Sequence, residues 1–147
     1  MLARLAALPQ AWLLPFVAAG LLLGWLLPVG LPGLRLPGMA LIAMGLGLMA
    51  WAALVMRRAR TTVWPGRQPA RLVTWGPFAW SRNPIYLGDL LLLAGLLLAS
   101  GAAVGLILVP GFARLLTRRF ILPEEAMAGA AFGADFAAYR ARTRRWI

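Results

Sequence analysis

Long apolar segments without charge are the feature that most constrains this chain. Residues 11–34 contain no charged side chain, and residues 85–116 contain only Asp89 and Arg114. A helix needs about 20 apolar residues to cross a bilayer, where only helices and closed barrels satisfy every backbone polar group. Of the 147 residues, 62% are hydrophobic and 13% are charged, whereas soluble chains have about 45–50% and about 25%. The sequence therefore predicts an all-α, polytopic integral membrane protein.

Proline, glycine and arginine divide the apolar sequence into segments. A stretch rich in proline and glycine follows the first apolar run and predicts a short loop at about residues 28–38. The third apolar region is long and contains Ser100 and Gly101 near its middle, where a turn is expected. We predict a single membrane domain with about four membrane helices, at about residues 11–28, 39–56, 84–100 and 102–116.

The distribution of arginine predicts the topology. Loop 57–83 carries six arginines and the tail from Arg114 onward carries seven, whereas residues 29–38 carry only Arg35. Positive loops face the cytoplasm, so the long loop and the tail (residues 117–147) are expected there, with both termini on the same side. The region between them then crosses an even number of times, as a hairpin of two short arms. A hairpin that enters the bilayer only part-way is the alternative.

The positive balance has a simple explanation in a membrane protein. The net charge of +11 comes from 15 arginines, no lysine and four acids. Nucleic acid is not expected as a partner, because the arginines flank apolar spans, where they set orientation and contact anionic lipid. The absence of cysteine and histidine excludes disulfides and the usual zinc ligands, and no metal is expected. Arginine without lysine, with abundant Ala, Gly and Leu, suggests a GC-rich bacterial genome and hence the bacterial inner membrane.

The first candidate site is the start of the third apolar region. Asparagine is a preferred helix N-cap and proline suits the first helical position, so Asn83 and Pro84 predict a helix that starts at the cytoplasmic face. A helix N-terminus attracts anions, and the Arg82 guanidinium beside it can hold a carboxylate at two points. The alternative is a capped helix with an arginine that extends to the interface.

Acidic residues form the second candidate site. Pro123 indicates another helix start, which places Glu124 and Glu125 in a first turn, where carboxylates are favourable. Such a pair could bind a cation or ribose hydroxyls, or could only cap the helix and pair with a nearby arginine. Asp89 is an ionisable group at membrane depth, a functional candidate by default. Tyr86 lies three residues before it on the same helical face.

The tail and the glycines predict packing. Gly133 divides the tail into two short amphipathic helices, at about residues 123–132 and 134–144, which are expected to lie at the interface and cover the site. Glycines four residues apart permit close approach of membrane helices, although in a glycine-rich chain the spacing can arise by chance. In the apolar regions such pairs are Gly20 with Gly24 and Gly101 with Gly105.

Together, GPFAWSRNPIYLG (residues 76–88) and the segment that starts at PEEAMAG (residues 123–129) resemble a known family. They are similar to the membrane methyltransferases that include isoprenylcysteine carboxyl methyltransferase and the phospholipid methyltransferases, and most of all to small bacterial members. The resemblance covers roughly residues 60–147. The isoprenylcysteine enzymes have histidine at the position of Asn83, so the role of that histidine, and the isoprenylcysteine substrate, do not transfer.

The resemblance implies binding of S-adenosylmethionine between the third helix and the C-terminal segment, and methyl transfer to a lipid-like or membrane-associated acceptor. It implies catalytic roles for Arg82 and Tyr86. A Gly-x-Gly in the preceding span of the phospholipid methyltransferases corresponds to Gly45 and Gly47. The implied cofactor-binding residues are Arg82, Asn83, Pro84, Tyr86, Gly88, Glu124, Glu125, Gly45 and Gly47.

The chemistry of methyl transfer is compatible with this composition. Direct displacement needs alignment and exclusion of water, and neither a metal nor a covalent enzyme intermediate. A carboxylate acceptor needs no general base, whereas an amine acceptor would need Glu124, Glu125, Asp89 or Tyr86 to assist. Two other readings remain open: a nicotinamide-dependent enzyme of the steroid reductase type, and a membrane scaffold or transporter subunit without catalysis. The acceptor and the oligomeric state are not predicted.

Overall fold

Two long apolar helices open the structure. The computed structural model describes residues 8–29, 31–62, 64 and 66–147, and this part of the chain contains helices and no strand. Helix α1 spans Pro9–Leu26 and helix α2 spans Arg35–Arg58; both are long and apolar enough to cross a membrane. Large apolar side chains such as Trp25 are exposed along them, as expected for surfaces that face lipid. An all-α fold is thus confirmed for the described residues, with two candidate spanning helices.

Helix α3 (Pro84–Ala99) packs along α2 through glycine. A Cβ on Gly88 would meet the Gly45 carbonyl and the Met49 side chain, and a Cβ on Gly95 would meet the Gly38 carbonyl at 2.7 Å. Since lipid tails are as apolar as leucine, helices in a membrane associate through such close backbone approach. These four glycines set the distance between α2 and α3.

The predicted turn near Ser100 and Gly101 is present, but the chain after it differs from a simple second arm. Gly101 has φ 80° and ends the helical run. A 3-10 segment (Ala103–Leu108) follows, then helix α4 (Val109–Leu116), a π-helical turn (Thr117–Ile121) and helix α5 (Leu122–Arg142), without an interruption. The predicted helix start at Pro123 is confirmed for α5, whose first turn contains Pro123, Glu124 and Glu125, although α5 continues directly from the π-helical turn. Proline lacks an N–H and its ring displaces the carbonyl four residues earlier, which lies inside the π-helical turn.

Gly133 interrupts α5, with φ 49° and ψ −117°. The predicted division of the tail at this glycine is therefore confirmed. Glycine is suited to the break, because other residues rarely adopt positive φ. Of the predicted packing glycines, Gly20 and Gly105 are in close backbone contact and Gly24 lies against Ala102, whereas Gly101 serves the turn.

The interior lies where α1, α3 and α4 meet. Leu93, Leu97, Phe112, Leu116 and Ile121 are fully buried there. The ring of Phe16 on α1 contacts the ring of Phe112 on α4, with 4.9 Å between the ring centroids. The apolar interior thus joins α1, α3 and α4.

Candidate cofactor site

One cavity contains most of the polar side chains that the sequence singled out. It has a volume of about 330 Å³ and lies between the first residues of α1, the segment after α2, the start of α3 and the part of α5 from Glu124 to Tyr139. Ligand pockets usually measure about 300–1,000 Å³. Among its lining residues are Arg82, Asn83, Pro84, Tyr86, Glu124 and Glu125. The fold therefore brings the two candidate sites, about 40 residues apart in sequence, to one place.

The start of α3 is held by the C-terminal segment (residues 143–147). Pro84 begins the helix, but the Asn83 side chain makes no capping bond; its Nδ2 donates to the Arg145 carbonyl at 3.0 Å. The Arg82 N–H donates to the Arg144 carbonyl at 3.0 Å. The expectation that Asn83 caps α3 is thus wrong for its side chain, because the amide is engaged by the tail instead.

Glu125 is the centre of an ion-pair cluster. Its Oε1 accepts from Arg82 Nη1 at 2.8 Å and from Arg145 Nε at 3.0 Å, and its Oε2 accepts from Arg145 Nη2 at 2.8 Å. The Glu125 side chain is 10% exposed. Side-chain hydrogen bonding to Glu125 raises the pKa of Arg145. Both carboxylate oxygens of Glu125 are therefore engaged by arginine within the protein.

Glu124 has a different environment from its neighbour. Its Oε1 accepts from the Tyr86 hydroxyl at 2.8 Å, and its carboxylate also accepts from the Gly66 backbone N–H. Burial raises the pKa of Glu124, and the two hydrogen bonds oppose this shift. No arginine is among the hydrogen-bond or ion-pair partners of Glu124 in the described part of the chain. Glu124 is consequently the acid of the pair whose charge is not neutralised by an arginine.

Arg82 retains donors that the protein does not use. Its Nε is buried and has no hydrogen-bond partner among the described residues, and only Nη1 bonds to Glu125. Burial lowers the pKa of Arg82, although the nearby Glu125 charge opposes this. A buried unpaired donor is costly, which is acceptable where a ligand supplies the acceptor.

The other residues singled out by the sequence lie outside the cavity. Gly45 and Gly88 are in the contact between α2 and α3, and a Cβ on Gly47 would have open space around it. None of these three is among the described residues that line the cavity. Asp89 is fully buried; its Oδ2 accepts from Gln10 Nε2 at 3.3 Å, and Oδ1 has no partner among the described residues.

Sequence reasoning missed three polar residues of the site. The sequence predicts Arg145 only as one of the tail arginines that set the topology, and it does not single out Gly66 or Gln10, the second of which lines the cavity. Tyr139, which also lines the cavity, donates to the Phe78 carbonyl at 2.7 Å, and burial raises the pKa of this phenol to about 12. A lone arginine in a basic tail gives no local signal of such a partner.

Comparison with known proteins supports the resemblance noted in the sequence. Residues 34–135, well over half of the 147-residue chain, match the model of the family described as phospholipid methyltransferase. The matched range includes α2, α3 and the acidic pair. The chain has no significant match among curated proteins, and none among solved structures. The extent of the family match shows that the chain belongs to the phospholipid methyltransferase family.

Proposed function

We propose that this protein transfers a methyl group from S-adenosylmethionine to a lipid-like or membrane-associated acceptor. The family implies a methyltransferase, and such enzymes generally use S-adenosylmethionine. The observation that carries the proposal is the convergence of Arg82, with an unpartnered buried Nε, and Glu124 on a single cavity. A cation and an anion in one pocket are complementary to the ammonium and carboxylate of an amino acid group.

The donor set fits this cofactor. Arg82 and the first N–H groups of α3 would hold the carboxylate, since the first four N–H groups of a helix lack partners within it. Glu124 would accept from the ammonium or from ribose hydroxyls. Apolar lining residues, among them Met127, Phe132 and Phe136, would contact the remaining surface. Glu125 would not contact the cofactor, because Arg82 and Arg145 already engage it.

S-adenosylmethionine carries an electrophilic methyl group on a sulfonium and supplies it by direct displacement. The protein would align the acceptor and exclude water, and alignment alone is worth several orders of magnitude in rate. The Tyr86 hydroxyl, which donates to Glu124, fixes the direction of that carboxylate. An acceptor already anionic at neutral pH needs no base. For an amine, the base would be Glu124, a carboxylate that lines the cavity and has no arginine partner among the described residues.

The position of the cavity favours a membrane-associated acceptor. The cavity lies at the ends of the apolar helices, where Pro9 of α1 and Ile85 of α3 line it. As part of the same proposal, the chain is a single domain with four membrane-embedded helical segments. Both termini are cytoplasmic, and the membrane is a bacterial inner membrane. Because the sequence contains no cysteine, single cysteines introduced in the loops and labelled from either side would test this topology.

Binding of S-adenosylmethionine to the detergent-solubilised protein, by calorimetry, tests the function. We expect wild type to bind and both Arg82→Ala and Glu124→Gln to lose at least about tenfold in affinity, the effect of one lost polar contact of about 1.4 kcal/mol. Arg58→Ala, an exposed charge loss outside the cavity, is the control. Folded wild type that does not bind would contradict the proposal and favour a scaffold without catalysis.

A further inference from the structure

Arg145 makes more hydrogen bonds to the Glu125 carboxylate than Arg82 does, and this leaves N–H donors of Arg82 available to a ligand. Arg145 makes the two-point contact with the carboxylate, through Nε at 3.0 Å and Nη2 at 2.8 Å, whereas Arg82 contributes only Nη1. The Arg145 backbone is fixed as well, because its carbonyl accepts from Asn83 Nδ2 at 3.0 Å and lies 3.4 Å from the Ser81 hydroxyl. The backbone and the side chain of Arg145 thus contact both sides of the site.

Competition between the two arginines follows from their chemistry. A carboxylate and a guanidinium prefer the two-point geometry, which satisfies two acceptors and two donors at once. If Arg145 were absent, Glu125 would have a free oxygen facing the one remaining guanidinium, Arg82. Glu125 could then take the two-point contact through Nε and Nη2 of Arg82, which would occupy the Nε that is unpartnered in the structure. The site would then contain the same residues, but the Arg82 guanidinium would no longer have an unpartnered Nε to offer to a ligand.

We propose that Arg145 is a positioning residue that prevents Glu125 from sequestering Arg82, and so keeps Arg82 free to bind the carboxylate of the cofactor. This inference depends on the proposed function, since it concerns the same site. It assigns different tasks to the acidic pair: Glu125 is bound by the tail, and Glu124 is left for the ligand.

A purely architectural role for Arg145 predicts something different. In that case replacement of Arg145 would change the melting temperature and would weaken the binding of every ligand of the site to the same extent. The chain offers a matched control in Arg144, an exposed neighbour with the same charge. The Arg144 carbonyl bonds to the Arg82 N–H, and this bond survives replacement of the side chain by alanine.

The experiment measures the affinity of S-adenosylmethionine and of decarboxylated S-adenosylmethionine, which lacks the carboxylate. For Arg145→Ala we expect about a tenfold loss for the first ligand and no change for the second, while Arg144→Ala changes neither. Adding Glu125→Gln to Arg145→Ala should restore most of the lost affinity, because an amide competes poorly for Arg82. Should Arg145→Ala not fold, Arg145→Lys, which keeps the charge without the planar fork, is expected to give a smaller loss for the carboxylate ligand only.

The outcomes separate the two proposals. Wild type that binds neither ligand would refute the proposed function itself. Wild type that binds, with Arg145→Ala affecting both ligands equally or neither, would overturn only the role of Arg145. Failure of Glu125→Gln to restore affinity in the Arg145→Ala background would equally contradict the competition between the two arginines.

Discussion

The two ends of α3 are held by different kinds of contact. At its start, Asn83, Tyr86 and the preceding Arg82 form directional bonds to the tail and to the acidic pair. Further along the helix, from Gly88 near its second turn to Gly95 near its other end, glycines lie against the backbone of α2. Directional bonds tolerate a change of charge when shape is kept, while backbone contact tolerates no added atom. Helix α3 thus has an adjustable end, where Asn83 and Tyr86 form directional bonds, and a fixed end, where Gly95 contacts the backbone of α2.

The largest effect is expected at the fixed end. In Gly95→Ala the new Cβ would lie 2.7 Å from the Gly38 carbonyl and 2.8 Å from Ile42, and overpacking of this kind costs about 3 kcal/mol or more. Gly47→Ala is the matched control, since a Cβ there meets nothing within 4 Å. Thermal unfolding in detergent measures both. Equal melting temperatures would show that α2 and α3 are not in backbone contact.

At the adjustable end, the acidic pair should respond asymmetrically. Glu125→Gln loses charge-assisted bonds to two arginines and should lower the free energy of unfolding by about 2 kcal/mol. Cofactor affinity should change little, because Arg82 stays free. Glu124→Gln keeps the shape and should leave stability nearly unchanged while reducing affinity. Calorimetry and thermal unfolding of the two variants together measure this; identical behaviour would contradict the division of roles.

A smaller effect is expected where the tail contacts the segment before α3. Tyr139→Phe removes the hydroxyl that donates to the Phe78 carbonyl, which should cost about 1 kcal/mol. Affinity for S-adenosylmethionine should stay as in wild type, since this bond does not involve the acidic pair. Chemical denaturation gives the stability. Tyr139 lines the cavity, so a loss of binding without a loss of stability would show that its hydroxyl contacts the cofactor instead of serving only the bond to Phe78.

The smallest expected effect is a pH dependence that arises from Glu124. Its pKa lies above the ordinary 4.5 because of burial, so the folded protein binds this proton more firmly than the unfolded chain does. Its contribution to stability is therefore most favourable at low pH and is lost as pH rises through the folded pKa. Cofactor affinity should show the opposite trend and fall on acidification, at a pH above 4.5. In Glu124→Gln this dependence should disappear; if it persists, another group is responsible.

The sequence predicted the membrane helices because lipid allows few alternatives. An uncharged run of sufficient length has no other stable arrangement in the bilayer, so α1 and α2 could be located from composition alone, although α2 begins at Arg35 and not at Met39. The glycines at 101 and 133 likewise indicated breaks in the sequence, and both have positive φ in the structure. Local rules were sufficient where the constraint itself was local.

The partners within the site could not be predicted in the same way. Fifteen arginines offered many possible partners for two glutamates, and nothing near Arg145 distinguishes it from Arg144. The selection comes from the tertiary path of α5, whose bend at Gly133 directs the tail back to the start of α3. For the same reason the Asn83 amide, a good N-cap by preference, bonds to the tail.

The path of the tail also bears on how the protein is made. Chains are synthesised and begin to fold from the N-terminus, so α1, α2 and α3 leave the ribosome before residues 143–147. During that interval Arg82 and Tyr86 have already been synthesised, while their partners on α5 and in the tail are still missing. Assembly of the cavity is therefore a late step of biogenesis, separate from insertion of the helices. A nascent chain stalled before Arg145 would contain these three helices without a complete candidate site.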